Sequence, residues 1–179
     1  MRKPDHYWKL SKEEGYPARS VFKLKEIQER HHPIRPASRV LDLGASPGSW
    51  SLYVLELLTG GGGVTGVDLN APDARLASRR RYRFIQGDFT DPAVLSQIQS
   101  LGPFDVVLSD AAPSTTGTRA LDTVRSLEIA RQVLSICERC LNPRGSCVLK
   151  IFQGGAEREI LDRMKVLFAT ARAFKPKAS

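Results

Sequence analysis

Apolar positions along the chain follow two periods. Short runs rich in apolar and β-branched residues, ending on Gly or Asp, recur at residues 40–43, 63–68, 82–88, 104–110 and 146–152 and predict strands. Between them, apolar residues at helical spacing predict helices over residues 21–30, 51–58, 92–101 and 122–141. Val21, Leu24 and Ile27 share one face in the first of these, and Leu127, Ala130, Val133, Leu134 and Cys137 share one in the last. Strands alternating with helices predict an α/β fold, a doubly wound and mostly parallel sheet with helices on both faces. Upstream, Ser11-Lys12-Glu13-Glu14 reads as a cap and first turn, and residues 15–20 break that helix before the next begins. Near the end, residues 169–174 read as a sixth strand.

The stretch around which this pattern is organised is Val40-Leu41-Asp42-Leu43 followed by Gly44-Ala45-Ser46-Pro47-Gly48. A first strand that feeds a glycine turn and then a helix places a ligand outside the carboxyl ends of the strands. The turn does not spell the dinucleotide fingerprint G-x-G-x-x-G. It does spell G-x-S-x-G, but a nucleophile elbow needs the backbone N–H after its serine, and Pro47 has none. The three histidines, His6, His31 and His32, all precede Ser46, whereas that triad needs one after it. An S-adenosylmethionine site fits better. The second and third predicted strands end in Asp68 and Asp88, one placed for ribose hydroxyls and the other for an adenine edge, and two acids suit a cationic ligand without phosphate. Other roles stay open for both: Asp68 could turn the chain into Asn70-Ala71-Pro72, and Asp88 could cap the helix that starts at Pro92.

Composition narrows the partners. With 179 residues the chain has the length of one domain with a real core. A formal charge of +8 favours a polyanion, nucleic acid first. No apolar run long enough for a membrane span and no secretory leader is visible, so no membrane partner is expected. Cys137, Cys140 and Cys147 form no disulfide framework, which points to a reducing, cytoplasmic compartment. Cys137 and Cys140 have C-x-x-C spacing but lie in a predicted helix without a second pair, so they read as buried thiols and no metal site is assigned.

Basic residues concentrate in two places. Residues 1–35 form an arm and helix carrying Arg2, Lys3, Lys9, Lys12, Arg19, Lys23 and Lys25 with Tyr7, Trp8 and Tyr16, a composition suited to phosphates and unpaired bases or to a solvated basic face. The catalytic domain is then expected over residues 36–179. Arg75, Arg79, Arg80, Arg81 and Arg83 form the second group, a further phosphate contact or a solvated loop. A different kind of signal is Lys150, inside Val148-Leu149-Lys150-Ile151-Phe152, because a strand buried on both faces does not hold an ammonium without a partner. If the tips of strands one, four and five face one cleft, Asp110 is that partner; the alternative is a lysine snorkelling out at an edge.

Taken together, Asp42-Leu43-Gly44-Ala45-Ser46-Pro47-Gly48-Ser49-Trp50, Ser109-Asp110-Ala111-Ala112-Pro113 and Leu149-Lys150-Ile151-Phe152-Gln153-Gly154 resemble the motifs of the FtsJ (RrmJ, RlmE-like) RNA 2'-O-ribose methyltransferases. Tyr16-Pro17-Ala18-Arg19-Ser20-Val21-Phe22-Lys23-Leu24 is similar to their Y-x-x-R-S-x-x-K-L segment. The resemblance runs from about Trp8 to Pro176. It implies a Rossmann-like class I methyltransferase fold, S-adenosylmethionine as methyl donor, and a lysine-aspartate-lysine-glutamate catalytic set. Lys23, Asp110 and Lys150 match its first three members, with Lys150 as general base. The donor's contacts would fall on Gly48, Trp50, Asp68, Asp88 and Asp110. The implied acceptor is RNA, a uridine of large-subunit ribosomal RNA, with transfer RNA as the alternative, and the chain is expected to act as a monomer.

Two departures from the family pattern stand out. Ser114 replaces the usual asparagine after the aspartate motif, and the chain ends at Ser179, before the last strand that carries the family's glutamate. A truncated or naturally short form is therefore expected, with its sixth strand lacking a neighbour. A weakly catalytic RNA-binding form, or a methyltransferase acting on a base or a protein, remain alternatives. The chemistry itself sets one requirement. An ordinary lysine, pKa ~10.4, is charged at pH 7, so a base role needs burial or a neighbouring cation such as Lys23 to favour the neutral amine.

Overall fold

A computed structural model describes residues 6–113, 117–152 and 157–178. The elements are α1 (His6–Glu13), α2 (Val21–His31), β1 (Arg39–Leu43), α3 (Ser49–Leu57), β2 (Gly63–Asp68), α4 (Ala74–Ala77), β3 (Tyr82–Gln86), α5 (Pro92–Leu101), β4 (Phe104–Ser109), α6 (Arg119–Cys140), β5 (Leu141–Leu149) and α7 (Glu157–Leu167). The strands form one sheet in the order β3-β2-β1-β4-β5, every pair parallel. The chain runs outward from β1 through β2 to β3, then returns to the other side of β1 for β4 and β5. Strand order therefore reverses between β1 and β4, and the crevice at their carboxyl ends is where such sheets bind ligands.

Successive side chains of a strand point to opposite faces, and the two faces have separate cores. Leu41, Leu43, Val67 and Val107 pack with Ile98 of α5 and Val133, Ile136 and Cys137 of α6. Val40, Val64, Val106 and Leu108 pack with Leu24 of α2 and Trp50 and Val54 of α3. Val21 and Leu24 are completely buried. At about 1.5–3 kcal/mol per side chain, those two residues alone make α2 an integral layer of the sheet. The basic arm thus continues into a rigid helix whose first turn, carrying Lys23, lies by the crevice.

Several boundaries differ from the sequence expectation, each for a local reason. Ser11 does not cap a helix: α1 starts at His6, and the buried Ser11 hydroxyl donates to the Trp8 carbonyl at 2.8 Å inside it. The cap of α5 is Asp91, which accepts from Ala93 N at 2.7 Å, so Asp88 is free of that duty. In β5, Phe104 pairs with Leu141 but Val106 with Ser146, so the predicted turn at residues 142–145 survives as an excursion inside a longer strand. Lys150 lies just past that strand, where its N–H still bonds Ser109 O at 2.9 Å. Nor is β5 buried on both faces; it is the sheet's edge, and its residues are partly or fully exposed. Residues 169–174 form no strand. They cross instead onto α2, where Phe174 lies under the Arg30 guanidinium at 4.8 Å and Lys177 N donates to Glu26 at 2.8 Å.

Candidate active site

The first strand delivers the glycine turn, and the turn needs its glycines. Gly44 has φ +77°, and a Cβ there would sit 2.7 Å from Ala111 Cβ and 2.8 Å from Ala111 Cα. Gly48 has φ +112°, but its Cβ would meet only the end of the Leu76 side chain, at 2.5 Å. Gly44 cannot be relieved, because the atoms in the way include backbone, whereas Leu76 can rotate. Gly44→Ala should therefore cost about 2–5 kcal/mol, from left-handed strain plus overpacking, and Gly48→Ala less. Chemical denaturation of both variants checks the ranking.

Asp68, at the tip of β2, closes the turn by accepting from Ser46 N at 2.9 Å and Asn70 N at 2.8 Å. The chain-turn role is realised here, with the carboxylate held beside the glycine turn. Asp88 accepts from Thr90 N and Thr90 Oγ1, both at 2.8 Å and both to one oxygen, which leaves its other oxygen open. Gly48 lies between the turn and α3, and Trp50 in the first turn of α3 is 5 % exposed with its indole N–H donating to Ser20 O at 2.9 Å. The Trp50 ring therefore faces inward and pins the start of α2. Two more bonds fix the same segment: Ala18 N to Ser49 Oγ at 2.7 Å and Tyr16 hydroxyl to Glu56 at 2.6 Å. These anchors set the register of α2, and with it the position of Lys23.

Lys23, Trp50, Asp110 and Lys150 line one open cleft. Lys150 Nζ lies 2.9 Å from Asp110 Oδ1, and the two side chains are only 23 % and 19 % exposed. The same ammonium donates to the Asp110 main-chain carbonyl. Asp110 Oδ1 is buried, with the Lys150 charge beside it and no aligned hydrogen bond among the described residues. Lys150 is thus partnered as the buried-ion argument required and does not reach out to solvent alone. Burial lowers the Lys23 pKa, the Lys150 and Arg19 cations lower it further, and Asp110 opposes them. Those interactions place Lys23 in the same electrostatic cluster as the ion pair.

The donor set suits a cationic adenosyl ligand: a tight glycine turn packed on Ala111 and Leu76, carboxylates at the end of β2 and just past β3, and the Asp110 carboxylate just past β4. Beneath the cradle lies a residue that the sequence reading passed over. Asp42 is 1 % exposed; its Oδ2 accepts from Ser51 Oγ at 2.7 Å, and its Oδ1 has no partner. Burial raises its pKa to about 7, Asp110 and Asp68 push the same way, and the Ser51 bond opposes them. The signal was present, since an acid within Val40-Leu41-Asp42-Leu43 is as anomalous as Lys150 within its own apolar run. Ser114 and residues 153–155 lie outside the described residues. Among the described residues no cluster of His, Cys, Asp and Glu is arranged for a metal ion, and Cys137 and Cys140 are buried and free of disulfides. No described helix is long and apolar enough to cross a membrane.

Comparison with known proteins agrees with this geometry. A large-subunit ribosomal RNA methyltransferase E of Treponema denticola is 45 % identical over 175 residues, covering 98 % of this chain and 87 % of its own. The enzyme of the same name from Nitratidesulfovibrio vulgaris is 44 % identical over 177 residues, covering 98 % of this chain and 87 % of its own. Among solved structures, a Plasmodium falciparum protein assigned as a ribosomal RNA methyltransferase superposes with a TM-score of 0.79 at 25 % identity, over 91 % of this chain and 93 % of that one. Fibrillarin of Aeropyrum pernix, crystallised with bound S-adenosylmethionine, shares the fold with a TM-score of 0.53 at 19 % identity, over 73 % of this chain and 51 % of that one. The pattern of the FtsJ-like methyltransferases matches residues 16–179, and the chain belongs to that family.

Proposed function

We propose that the chain methylates a ribose 2'-hydroxyl of large-subunit ribosomal RNA, a uridine in particular, with S-adenosylmethionine as the methyl donor. The observation that carries this reading is the Lys150–Asp110 pair at the strand-order reversal, with Lys23 in the same cleft. Gly48, Asp68, Asp88 and Asp110 hold the donor, and Trp50 supports them by fixing α3 against α2. The donor supplies a methyl group already activated on a sulfonium. What remains for the protein is to place the 2'-oxygen, remove its proton and keep water out. Alignment of this kind contributes up to about 7–11 kcal/mol, and a positioned base adds roughly 10²–10⁴-fold.

In this reading the 2'-hydroxyl proton passes to the Lys150 amine. Asp110 orients that amine through its side chain and main-chain carbonyl. Lys23 shares this cluster, where burial and the Lys150 and Arg19 cations favour its own neutral form against Asp110. A second reading exchanges the two lysines, because Lys23 is the one whose pKa burial and its cationic neighbours lower. Lys23→Ala separates them. If Lys23 only supports Lys150, methyl transfer falls but keeps the rising limb of its pH profile; if Lys23 is the base, that limb disappears.

The decisive experiment is transfer of labelled methyl to large ribosomal subunits, free ribosomal RNA and transfer RNA. Alkali-resistant label on ribosomal RNA supports 2'-O-methylation, label on transfer RNA moves the acceptor, and label released as a methylated base or protein overturns the reading. Asp68→Ala should weaken S-adenosylmethionine binding about 10–100-fold, as expected for losing a charged hydrogen-bond partner. Titration calorimetry on Asp68→Ala and Asp68→Asn checks this, and unchanged affinity in both removes Asp68 from the donor site.

A further inference from the structure

The second arginine group is not absorbed by the cleft. Between Ala74 and Gly87 the chain carries Arg75, Arg79, Arg80, Arg81 and Arg83 and no acid. All five arginines are exposed. Two of them have structural duties. Arg75 pairs with Asp73 at 2.8 Å and donates to Gly15 O at 2.6 Å, which ties the basic arm to α4. Arg81 donates to Leu58 O at the far end of α3. These two anchors lie at opposite ends of α3, so the group runs along the outer edge of the sheet beside β3, from the arm towards the amino ends of the strands.

Arg79, Arg80 and Arg83 have no acidic partner among the described residues. Their backbone is nonetheless fixed, by Arg79 N to Leu76 O at 3.0 Å, Tyr82 N to Arg79 O at 2.9 Å and Val64 N to Arg81 O at 2.8 Å. Three guanidinium forks without an acidic partner among the described residues, two on a rigid turn and one on β3, are matched to phosphate oxygens and lose little backbone entropy on binding. From strand rise and spacing, the turn lies roughly 25 Å from Lys150. That is too far for the nucleotide being methylated. Lys12 of α1 lies close enough to Asp73 to lower its pKa, below the Arg75 contributions, so the arm and the turn form one basic surface.

We propose that Arg79, Arg80 and Arg83 form a remote phosphate-binding site that grips the backbone of the acceptor RNA away from the methylated nucleotide, with the arm and Arg75 as the bridge to the cleft. This rests on the RNA acceptor proposed above. The site reads charge and shape, not sequence. Its role is to raise affinity and orient a structured RNA, and the chemical step is indifferent to it.

The test compares the full chain with Arg79→Ala/Arg80→Ala/Arg83→Ala and with the matching triple lysine variant. Binding to a large-subunit ribosomal RNA fragment is titrated from low to moderate salt, and kcat, KM and S-adenosylmethionine affinity are measured beside it. The alanine variant should bind RNA on the order of tenfold more weakly, with a log K against log salt slope shallower by about 2–3, the release expected for three phosphate contacts. The lysine variant should keep the slope, and kcat and donor affinity should not move in either. An alanine variant with the wild-type slope and KM overturns the site and leaves a solvated basic face. A wild-type chain that binds no RNA sinks the acceptor assignment and this site together, whereas RNA binding that is equal in wild type and variant sinks this site alone.

Discussion

Lys150→Ala should reduce methyl transfer by about 10²–10⁴-fold, the contribution of a positioned general base, while S-adenosylmethionine binding stays within a few-fold of wild type. The expectation rests on where the side chain lies. Its Nζ is 2.9 Å from Asp110 Oδ1, and the cleft it lines does not include Gly44, Gly48, Asp68 or Asp88. Removing it leaves the Asp110 carboxylate without its cation, and a positively charged donor does not suffer from that. Lys150→Arg sharpens the test. Arginine keeps the charge and can still pair with Asp110, but its guanidinium does not give up a proton in proteins. If Lys150 works as a base, arginine is as inactive as alanine; if it works as a fixed charge, arginine recovers much of the rate. Single-turnover transfer rates beside donor affinity decide it, and a parallel loss of both in Lys150→Ala would remove the base assignment.

The parts of this site that were legible in the sequence are those where a short apolar run collides with a residue that does not belong in it. Lys150 and the glycine turn after Leu43 announce themselves in that way, and so does the order of strands and helices that places them together. Asp42 carries the same kind of signal and went unused, because the glycines beside it offered a sufficient explanation of the motif. Elsewhere the signal is too short or too local. The helix α4 has four residues, little more than one turn and too short for a hydrophobic period to repeat. Ser11 looks like a cap because serine competes for backbone groups, but the tertiary setting buries it within α1, where its hydroxyl bonds back to Trp8. The contacts by which Tyr16, Ala18 and Trp50 hold the start of α2 span about 30 to 40 residues of sequence, and no local pattern encodes them. For residues 169–174, strand-like composition gave way to a cation–π contact with α2 at Phe174, followed by a backbone hydrogen bond to it at Lys177.

Asp42→Asn should make the protein more stable than wild type at pH 8.5, with the advantage fading as the pH falls towards 4. The reasoning begins with burial. A carboxylate that is 1 % exposed, with one hydroxyl donor and an unpartnered Oδ1, favours its proton, and its pKa rises to about 7. The unfolded chain holds the same group at ~3.9. Below ~3.9 both states carry the proton and the group costs folding nothing. Between there and about 7 the unfolded state releases its proton first, so stability falls as pH rises, and above 7 the full cost is present. At 1.36 kcal/mol per unit that cost is on the order of 4 kcal/mol, an upper bound for a group beside other acids. Asparagine keeps the acceptor for Ser51 and cannot ionise, so its stability lacks this slope. Urea unfolding of both proteins from pH 4 to 8.5 measures the difference directly, and parallel curves would refute the burial argument. Saturating S-adenosylmethionine adds a functional reading of the same quantity. Positive charge near Asp68 and Asp110 favours the ionised form of Asp42 and pulls its titration down, so the gap between the two proteins should narrow at pH 7 when the donor is bound. A gap that ignores the donor would mean that Asp42 titrates on its own, and that the acids above it do not couple the cradle to the first strand.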